Sequence, residues 1–188
     1  MSVNIQKTGV IQASDEKVND NILFDTLKDV KNSHTTYNIA DYNFSESLVN
    51  GNKYTIIAKI NTSPERKSVA FYHSGGSYSM SSWLPITSNR IYKYTFTANS
   101  NMASQTSGTG HGFCRVYISN NENAYQGSTT VTGTGNVEWI KIVKGEYASV
   151  WSANPSDSYY ISTHGFMEES EIAKIFKEHI EAPQFYEI

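Results

Sequence analysis

Short segments in which apolar and polar residues clearly alternate occupy the middle of the chain. Successive side chains of a β-strand point to opposite faces of its sheet, so this two-residue period predicts strands with one buried face. In the segment 53–61, every second residue from Tyr54 to Ile60 is apolar. The predicted strands lie at about residues 37–44, 53–61, 68–74, 90–98, 113–119 and 137–143.

Turn-forming residues separate these segments, including Asn50-Gly51 and Gly75-Gly76, and no helical pattern intervenes. An isolated hairpin is only marginally stable, so short strands at this spacing predict two antiparallel sheets packed face to face. We therefore predict an all-β antiparallel β-sandwich over residues 36–154. The polar loops at 99–112 and 119–130 are long for hairpins, and loops of that length are usually functional or disordered.

Both ends of the chain lack this alternation. Residues 1–35 predict an N-terminal connector segment with at most one short turn, and residues 155–188 a C-terminal linker and connector segment. Two interpretations stay open for the end of the chain. Apolar residues at helical spacing, with glutamates at 168–171, favour a helix. A faint repeat between 5–13 and 175–182 favours an extended strand, which we prefer because the first copy contains glycine and β-branched residues.

Composition and charge exclude several classes of function. The formal net charge is −3, and no run of basic residues is longer than two, whereas nucleic-acid binding depends on many phosphate contacts. The first residues lack the apolar core of a signal peptide, and no apolar stretch could span a bilayer. We expect synthesis in a cytoplasm, no membrane insertion and no nucleic-acid partner. The single cysteine, Cys114, excludes an internal disulfide framework, and we expect it to be a buried, inert thiol.

Catalytic and metal-binding motifs are missing from the sequence. It contains no Gly-x-Ser-x-Gly elbow, no phosphate-binding glycine loop and no His-Glu-x-x-His, so we predict that the protein is not an enzyme. No two histidines stand at ligand spacing, which argues against zinc. We predict no cofactor, with one structural calcium ion as the alternative. Oxygen ligands for calcium could come from six acidic residues, none spaced as in a dedicated calcium loop: Asp15, Glu16, Asp20, Asp25, Asp29 and Asp41.

Three longer segments carry a more specific pattern. They are Leu48-Val-Asn-Gly-Asn-Lys-Tyr54-Thr-Ile-Ile-Ala-Lys59, Arg90-Ile-Tyr-Lys-Tyr94-Thr-Phe-Thr97, and Val137 to Trp151 with Pro155 following. In this order they resemble the opening, middle and last strands of the galactose-binding-like, carbohydrate-binding jelly rolls of phage tail and fibre proteins. The resemblance covers about residues 36–154. It implies a jelly roll that binds a glycan, and related jelly rolls often hold one structural calcium.

The two ends of the chain carry a second resemblance. The segments 5–13 and 179–188 are similar to connectors that bracket modules in tail, baseplate and fibre proteins of phages and prophages of Gram-positive bacteria. The chain departs from that pattern at Ser14-Asp15-Glu16, where the connector usually carries an aromatic residue and an acidic-apolar pair. Together the resemblances imply a virion structural protein with a glycan-binding module for adhesion to the host cell surface.

The resemblances also imply the partners: a host-surface glycan, other virion proteins and further copies of the chain in a homo-oligomer. Localisation would be the virion, after synthesis in the bacterial host cytoplasm. Two alternatives remain: a purely structural virion decoration or spacer, and an accessory module for a glycan hydrolase encoded elsewhere.

A glycan site needs flat aromatic faces against the C–H side of a sugar ring and planar polar groups for its hydroxyls. Aromatic residues cluster around the turn at 74–77, and residues 115 and 117 are expected to point away from the core. The loop at 119–130 adds asparagines and one tyrosine. We predict a glycan-binding surface from seven residues: Tyr72, His73, Tyr78, Trp83, Arg115, Tyr117 and Tyr125.

Each candidate has a simpler alternative. Trp83 would pack in the core before Pro85, and the tyrosines would merely cover a sheet, because aromatic residues favour strands regardless of ligand. The loop at 119–130 would be an ordinary solvated loop. We expect Trp151 to pack against the bottom of the sandwich rather than to bind a ligand.

Overall fold

The computed structural model describes residues 21–26, 35–74, 78–122, 131–148 and 152–154. Within these ranges the chain forms β-strands and one four-residue helix, which confirms the predicted all-β class. The helix, α1, is Ser100–Ala103, and the strands are β1 Asn38–Asn43, β2 Lys53–Thr62, β3 Ser68–His73, β4 Tyr78–Ser79, β5 Leu84–Pro85, β6 Ile91–Thr97, β7 Phe113–Ser119 and β8 Gly135–Lys144.

The strands form two antiparallel sheets. The five-stranded sheet has the order β1-β7-β3, with the short strands β4 and β5 both pairing with the free edge of β3. The three-stranded sheet has the order β6-β2-β8. The long strands β1, β2, β3, β6, β7 and β8 therefore alternate between the two sheets. Each connection between successive long strands passes from one layer to the other, which explains why the polar loops are longer than hairpin turns need to be.

One hydrophobic core lies between the sheets. The four apolar residues predicted to share a face of β2, from Tyr54 to Ile60, are all fully buried. They belong to the same cluster as Phe71 of β3 and Val116 of β7, so the inner faces of the two sheets pack together in a sandwich-like arrangement. Cys114 is also fully buried, and this burial raises the pKa of its thiol far above the usual value, so the thiol is inert at neutral pH.

A segment well before β1 contributes to this core. Ile22 and Leu23 are buried, and Leu23 forms an isolated antiparallel bridge with Phe44. The carboxamide of Asn21 pairs with the backbone of β8: its Nδ2 donates to the Ile140 carbonyl oxygen at 3.0 Å, and its Oδ1 accepts from the Ile142 amide at 3.1 Å. This part of the predicted N-terminal connector segment is therefore packed against the sandwich.

The polar loop predicted at 99–112 contains α1. Asn99 caps the helix, because its side-chain oxygen accepts a hydrogen bond from the Met102 amide at 2.9 Å. The Met102 side chain is buried in the core, so the loop is partly anchored rather than wholly solvated. In the part of the chain that the structure describes, no helix has the length and apolar character required to cross a bilayer.

Candidate functional site

Four aromatic side chains pack together on the outer face of the five-stranded sheet. We call this cluster, Tyr37, Tyr72, Trp83 and Tyr117, the aromatic face. Its rings contact one another in a closed cycle, with centroid separations of 4.6 Å for Tyr37–Tyr117, 5.4 Å for Tyr117–Tyr72, 6.5 Å for Tyr72–Trp83 and 5.9 Å for Trp83–Tyr37. Separations in this range, with tilted or edge-on rings, are those that aromatic pairs prefer. The cycle therefore holds its members in defined orientations.

Strand register explains why three tyrosines meet here. The central strand β7 places Tyr117 opposite Asn38, the residue after Tyr37, and opposite Ala70 of β3. Alternation along β3 turns Val69 and Phe71 inward, so its residues 70 and 72 face outward. Ala70 carries only a methyl group and is fully buried.

Trp83 reaches this face through an irregular sheet edge. Tyr72 is opposite Ser79 in β4, and Val69 is opposite Leu84 in β5, so residues 80–83 bulge out against residues 70 and 71. The bulge is pinned at Ser81, whose Oγ accepts a hydrogen bond from the Phe71 amide at 3.0 Å. Leu84 packs against the core, and its chain neighbour Trp83 projects to the opposite, outer side.

A charged pair borders the rings. Arg115 of β7 lies directly opposite Asp41 of β1 and Tyr72 of β3. Its Nε donates to Oδ1 of Asp41 at 2.7 Å and its Nη2 to Oδ2 at 2.5 Å, which is a bidentate arrangement. These hydrogen bonds raise the pKa of the Arg115 guanidinium, which therefore stays charged. The guanidinium carbon also lies 5.1 Å from the centre of the Phe113 ring and 6.0 Å from that of Tyr117.

The structure brings together four of the seven predicted site residues. Tyr72, Trp83 and Arg115 are partly exposed, whereas Tyr117 retains only 9% of its accessible surface. Tyr117 therefore supports the other rings more than it offers a surface of its own. Trp83 lies outside the core and contacts two tyrosines, which differs from the interpretation of a core tryptophan.

Two predicted residues lie on the other side of the sheet. His73 is fully buried and stacks on Phe44 with ring centroids 4.9 Å apart, and the loss of hydration lowers the pKa of its imidazole to about 4. Tyr78 is paired with His73 and packs partly against the core. The prediction grouped these residues with Tyr72 by closeness in sequence, but neighbours along a strand face opposite sides. Tyr125 lies outside the described residues, as does Trp151.

Two members of this surface were not predicted as site residues. The sequence pattern predicts only a strand position for Tyr37 and only a calcium-ligand role for Asp41. The contact between Asp41 and Arg115 joins residues 74 positions apart, so it depends on the register between β1 and β7. Opposite charges on two predicted strands were the available signal, but sequence alone does not give the register.

The described part of the asparagine-rich loop, residues 119–122, has a structural role. The Asn120 Nδ2 donates to the carbonyl oxygens of Glu65 and Thr132, at 2.8 and 2.9 Å. Its Oδ1 accepts from the Thr132 amide at 2.9 Å. The carboxamide of Asn120 is thus engaged in holding three chain segments together.

Metal ligands do not converge in the described ranges, since no three His, Cys, Asp or Glu side chains there are close enough to share an ion. Of the six calcium candidates, Asp25 and Asp41 fall within those ranges, and Asp41 is engaged by Arg115. The other four lie outside the described residues.

The chemistry of the aromatic face suits a ligand that alternates C–H and O–H groups. Partly exposed rings offer apolar surface to C–H groups, and the Asp41–Arg115 pair offers acceptors and donors to hydroxyls. No protein-family model, curated protein or solved structure matches this chain. The case for a function therefore rests on this geometry and on the resemblance of the sequence segments.

Proposed function

We propose that this protein is a virion structural component of a phage tail, baseplate or fibre, and that it adheres to a host cell-surface glycan through the aromatic face. The module would be a galactose-binding-like jelly roll. The alternation of successive long strands between two sheets supports that topology. The resemblance of the opening, middle and last strands supports the family.

The observation that carries the proposal is the set of partly exposed rings held in place on a sheet. Tyr37, Tyr72 and Trp83 each keep part of their surface accessible while contacting their neighbours. Exposed apolar patches rimmed by polar groups mark interaction sites on soluble proteins. Because ring contacts already fix these side chains, binding costs little additional conformational entropy.

A single platform of this size implies weak binding. We expect a dissociation constant in the millimolar range for a monosaccharide or short glycan, which corresponds to about −4 kcal/mol. Adhesion would then come from many copies on one virion, since linked sites raise the effective concentration of every further contact.

The direct test is a glycan array that includes host-wall polysaccharides, followed by titration of the bound glycan. The variant Trp83→Ala should weaken binding at least about tenfold, a loss of about 1.4 kcal/mol. The matched control is Tyr147→Ala, because Tyr147 is 77% exposed and is not part of the aromatic face. It should stay within about twofold of wild type, well under 1 kcal/mol. Absence of any wild-type binding to host polysaccharide, or equal losses in both variants, would contradict the proposal.

The same surface supports a second candidate function, which is a decoration or spacer protein that docks to other virion proteins. Tyrosine, tryptophan and arginine are the residues enriched at the centres of protein interfaces, and all three occur here. Light scattering separates the two. Loss of self-association in Trp83→Ala, together with no sugar binding by the wild type, would favour the structural role.

A further inference from the structure

A cleft of about 380 Å³ lies outside the aromatic face, since none of the four rings lines it. It lies where β2 ends, between the β2–β3 connection, the end of β5 and the start of β6. Three basic residues and one acidic residue line it, together with hydroxyl groups: Arg66, Lys67, Arg90, Glu122, Thr62 and Ser63.

The positive charges of this cleft form no direct ion pair among the residues that the structure describes, although the exposed carboxylate of Glu65 attracts Arg66 and Lys67 from nearby. None of the ion pairs there includes Arg66, Lys67 or Arg90. Their hydrogen bonds go to neutral oxygens instead. The Lys67 Nζ donates to the Pro64 carbonyl at 3.0 Å, and the Arg90 guanidinium donates to the carbonyl and hydroxyl oxygens of Thr62. A neutral acceptor orients a cation without cancelling its charge.

Arg66 is the most constrained of the three cations, with 1% of its surface exposed. Its guanidinium donates to the carbonyl oxygens of Ile118, Thr36 and Gly133, at 3.1, 3.2 and 2.9 Å. Its Nε has no hydrogen-bond partner among the described residues. A charge held in a poorly hydrated position attracts an anion more strongly than the same charge in water. Arg66 thus supplies a fixed positive potential at the wall of the cleft.

The backbone at Arg90 also points to a functional position. Its φ of 57° lies in the left-handed region, which a non-glycine residue adopts only at an energetic cost. The surrounding bonds hold it there, since its carbonyl oxygen accepts from the Ile60 amide at 3.0 Å. Strain of this kind concentrates at ligand sites.

Two connections along the chain bring the cleft near the aromatic face. Pro85 lines the cleft and stands two residues after Trp83 on the same sheet edge. Two residues of extended chain span about 7 Å. The Arg66 guanidinium also donates to the carbonyl oxygen of Thr36, the residue before Tyr37. A ligand of a few sugar units could therefore contact Trp83 and the cleft at once.

We propose that the cleft binds a carboxylate or phosphate group carried by the glycan whose sugar rings rest on the aromatic face, which makes the ligand an acidic polysaccharide. Three cations outnumber the carboxylates of Glu122 in the lining and of Glu65 beside it, which favours an anion, and nearby hydroxyls can donate to its oxygens. This inference rests on the proposed function, and it names the ligand class that the aromatic face alone leaves open.

A matched set of sugars tests this inference. Galactose, galacturonic acid and galactose 6-phosphate share one ring and carry a neutral, a carboxylate or a phosphate group at the same carbon. The corresponding glucose set and inorganic phosphate complete the probes. In NMR titrations at low ionic strength, we expect one acidic form to bind about tenfold more tightly than the neutral form. Whether carboxylate or phosphate binds more tightly identifies the source of the charge. The advantage should shrink at high salt.

The variants Lys67→Gln and Arg90→Gln should remove most of this preference and leave affinity for the neutral sugar unchanged. Lys93→Gln is the control, since Lys93 is an exposed cation of β6 outside the cleft. Neutral and acidic sugars binding equally, with Trp83 required for both, would overturn the acidic ligand and leave the proposed function standing. Acidic binding that depends on Lys67 and Arg90 but not on Trp83 would support the cleft and overturn the role of the aromatic face. No binding of any probe would overturn both.

Discussion

The outer faces of the two sheets have the same alternating period but different chemistry. On the three-stranded sheet, outward polar side chains have polar partners: Lys59 pairs with Glu138 at 2.8 Å, and the hydroxyl of the buried Thr55 lies 2.9 Å from that of the exposed Thr95. On the five-stranded sheet, partly exposed rings are satisfied by one another. The arrangement of strands is thus compatible with either surface, and the outward residues decide which chemical groups a face presents.

The energetic consequences differ as well. Exposed ion pairs contribute about 0–1 kcal/mol to stability, because water already solvates both charges well. Each contact of an aromatic cycle contributes about 0.5–1.5 kcal/mol beyond the burial of surface. We therefore expect the aromatic face to stabilise the fold as well as to bind a ligand, whereas the exposed ion pairs of the three-stranded sheet should do little of either.

Truncation of the most buried ring should show the largest difference between the two faces. We expect Tyr117→Ala to lower the free energy of unfolding by about 3–4 kcal/mol, as for other buried aromatic residues. Thr95→Ala, on the outer face of the three-stranded sheet, should cost about 0.5 kcal/mol. Urea unfolding followed by tryptophan fluorescence measures both. Equal costs would mean that the aromatic cycle does not form.

Acid should have the next largest effect, and it should destabilise the protein through the five-stranded sheet. Only the five-stranded sheet carries a histidine in the described strands, and the folded pKa of His73 is about 4, below the ordinary 6.5. The unfolded chain therefore binds the proton first, and stability falls as the pH drops from 6.5 towards 4. We expect a loss on the order of 2–3 kcal/mol over this window. His73→Leu should abolish the loss, and a series of urea unfolding curves between pH 4 and 7 would reveal it.

His111→Gln is the control for this experiment, because the His111 ring is only partly buried and bonds to Ser47. Its pH profile should match that of the wild type. The three-stranded sheet responds at lower pH. The hydrogen bond from Lys59 lowers the pKa of the Glu138 carboxylate below 4.5, so the contribution of this carboxylate to stability is lost as the pH falls through that lowered value. A steep loss near pH 6 that persists in His73→Leu would show that another group is responsible.

The strands were predictable because their signal is local. The predicted bounds of β7 match the structure, and β2 was predicted to within one residue at its end, since alternation alone defines each strand. The burial of Cys114 followed from the same pattern. Alternation also predicts that Tyr72 and His73 face opposite sides of their strand. Placing both in one site because they are close in sequence therefore did not use what the pattern itself predicts.

The remaining features depend on distant contacts. The carboxamide of Asn21 pairs with backbone groups up to 121 residues away, and no local pattern marks it. The bulge that brings Trp83 to the outer face requires the pairing of β3 with two short strands, neither of which alternates long enough to be recognised. The ion pair of Asp41 requires the register of β1 against β7. Register and crossings are set by tertiary packing, which a single sequence does not display.

The smallest effect concerns the two ion pairs that border these faces. The Asp41–Arg115 pair is bidentate and lies against aromatic rings, whereas Lys59 meets Glu138 through one oxygen. Double-mutant cycles with Asp41→Asn and Arg115→Gln should give a coupling energy of about 1 kcal/mol. The cycle with Lys59→Gln and Glu138→Gln should give about 0.3–0.5 kcal/mol.

Salt provides the sharper version of this comparison. The side chains of Asp41 and Arg115 are 39% and 26% exposed, so salt can screen this pair. The coupling energies of both ion pairs should therefore weaken in 1 M salt. The Asp41–Arg115 coupling should retain more of its value, because its bidentate geometry does not depend on long-range attraction. If the two couplings are equal at low salt and vanish together at high salt, the Asp41–Arg115 pair is only another surface ion pair. The aromatic rings alone would then distinguish the outer faces of the two sheets. Groups other than Asp41 and Arg115 would have to form the hydrogen bonds to the sugar hydroxyls.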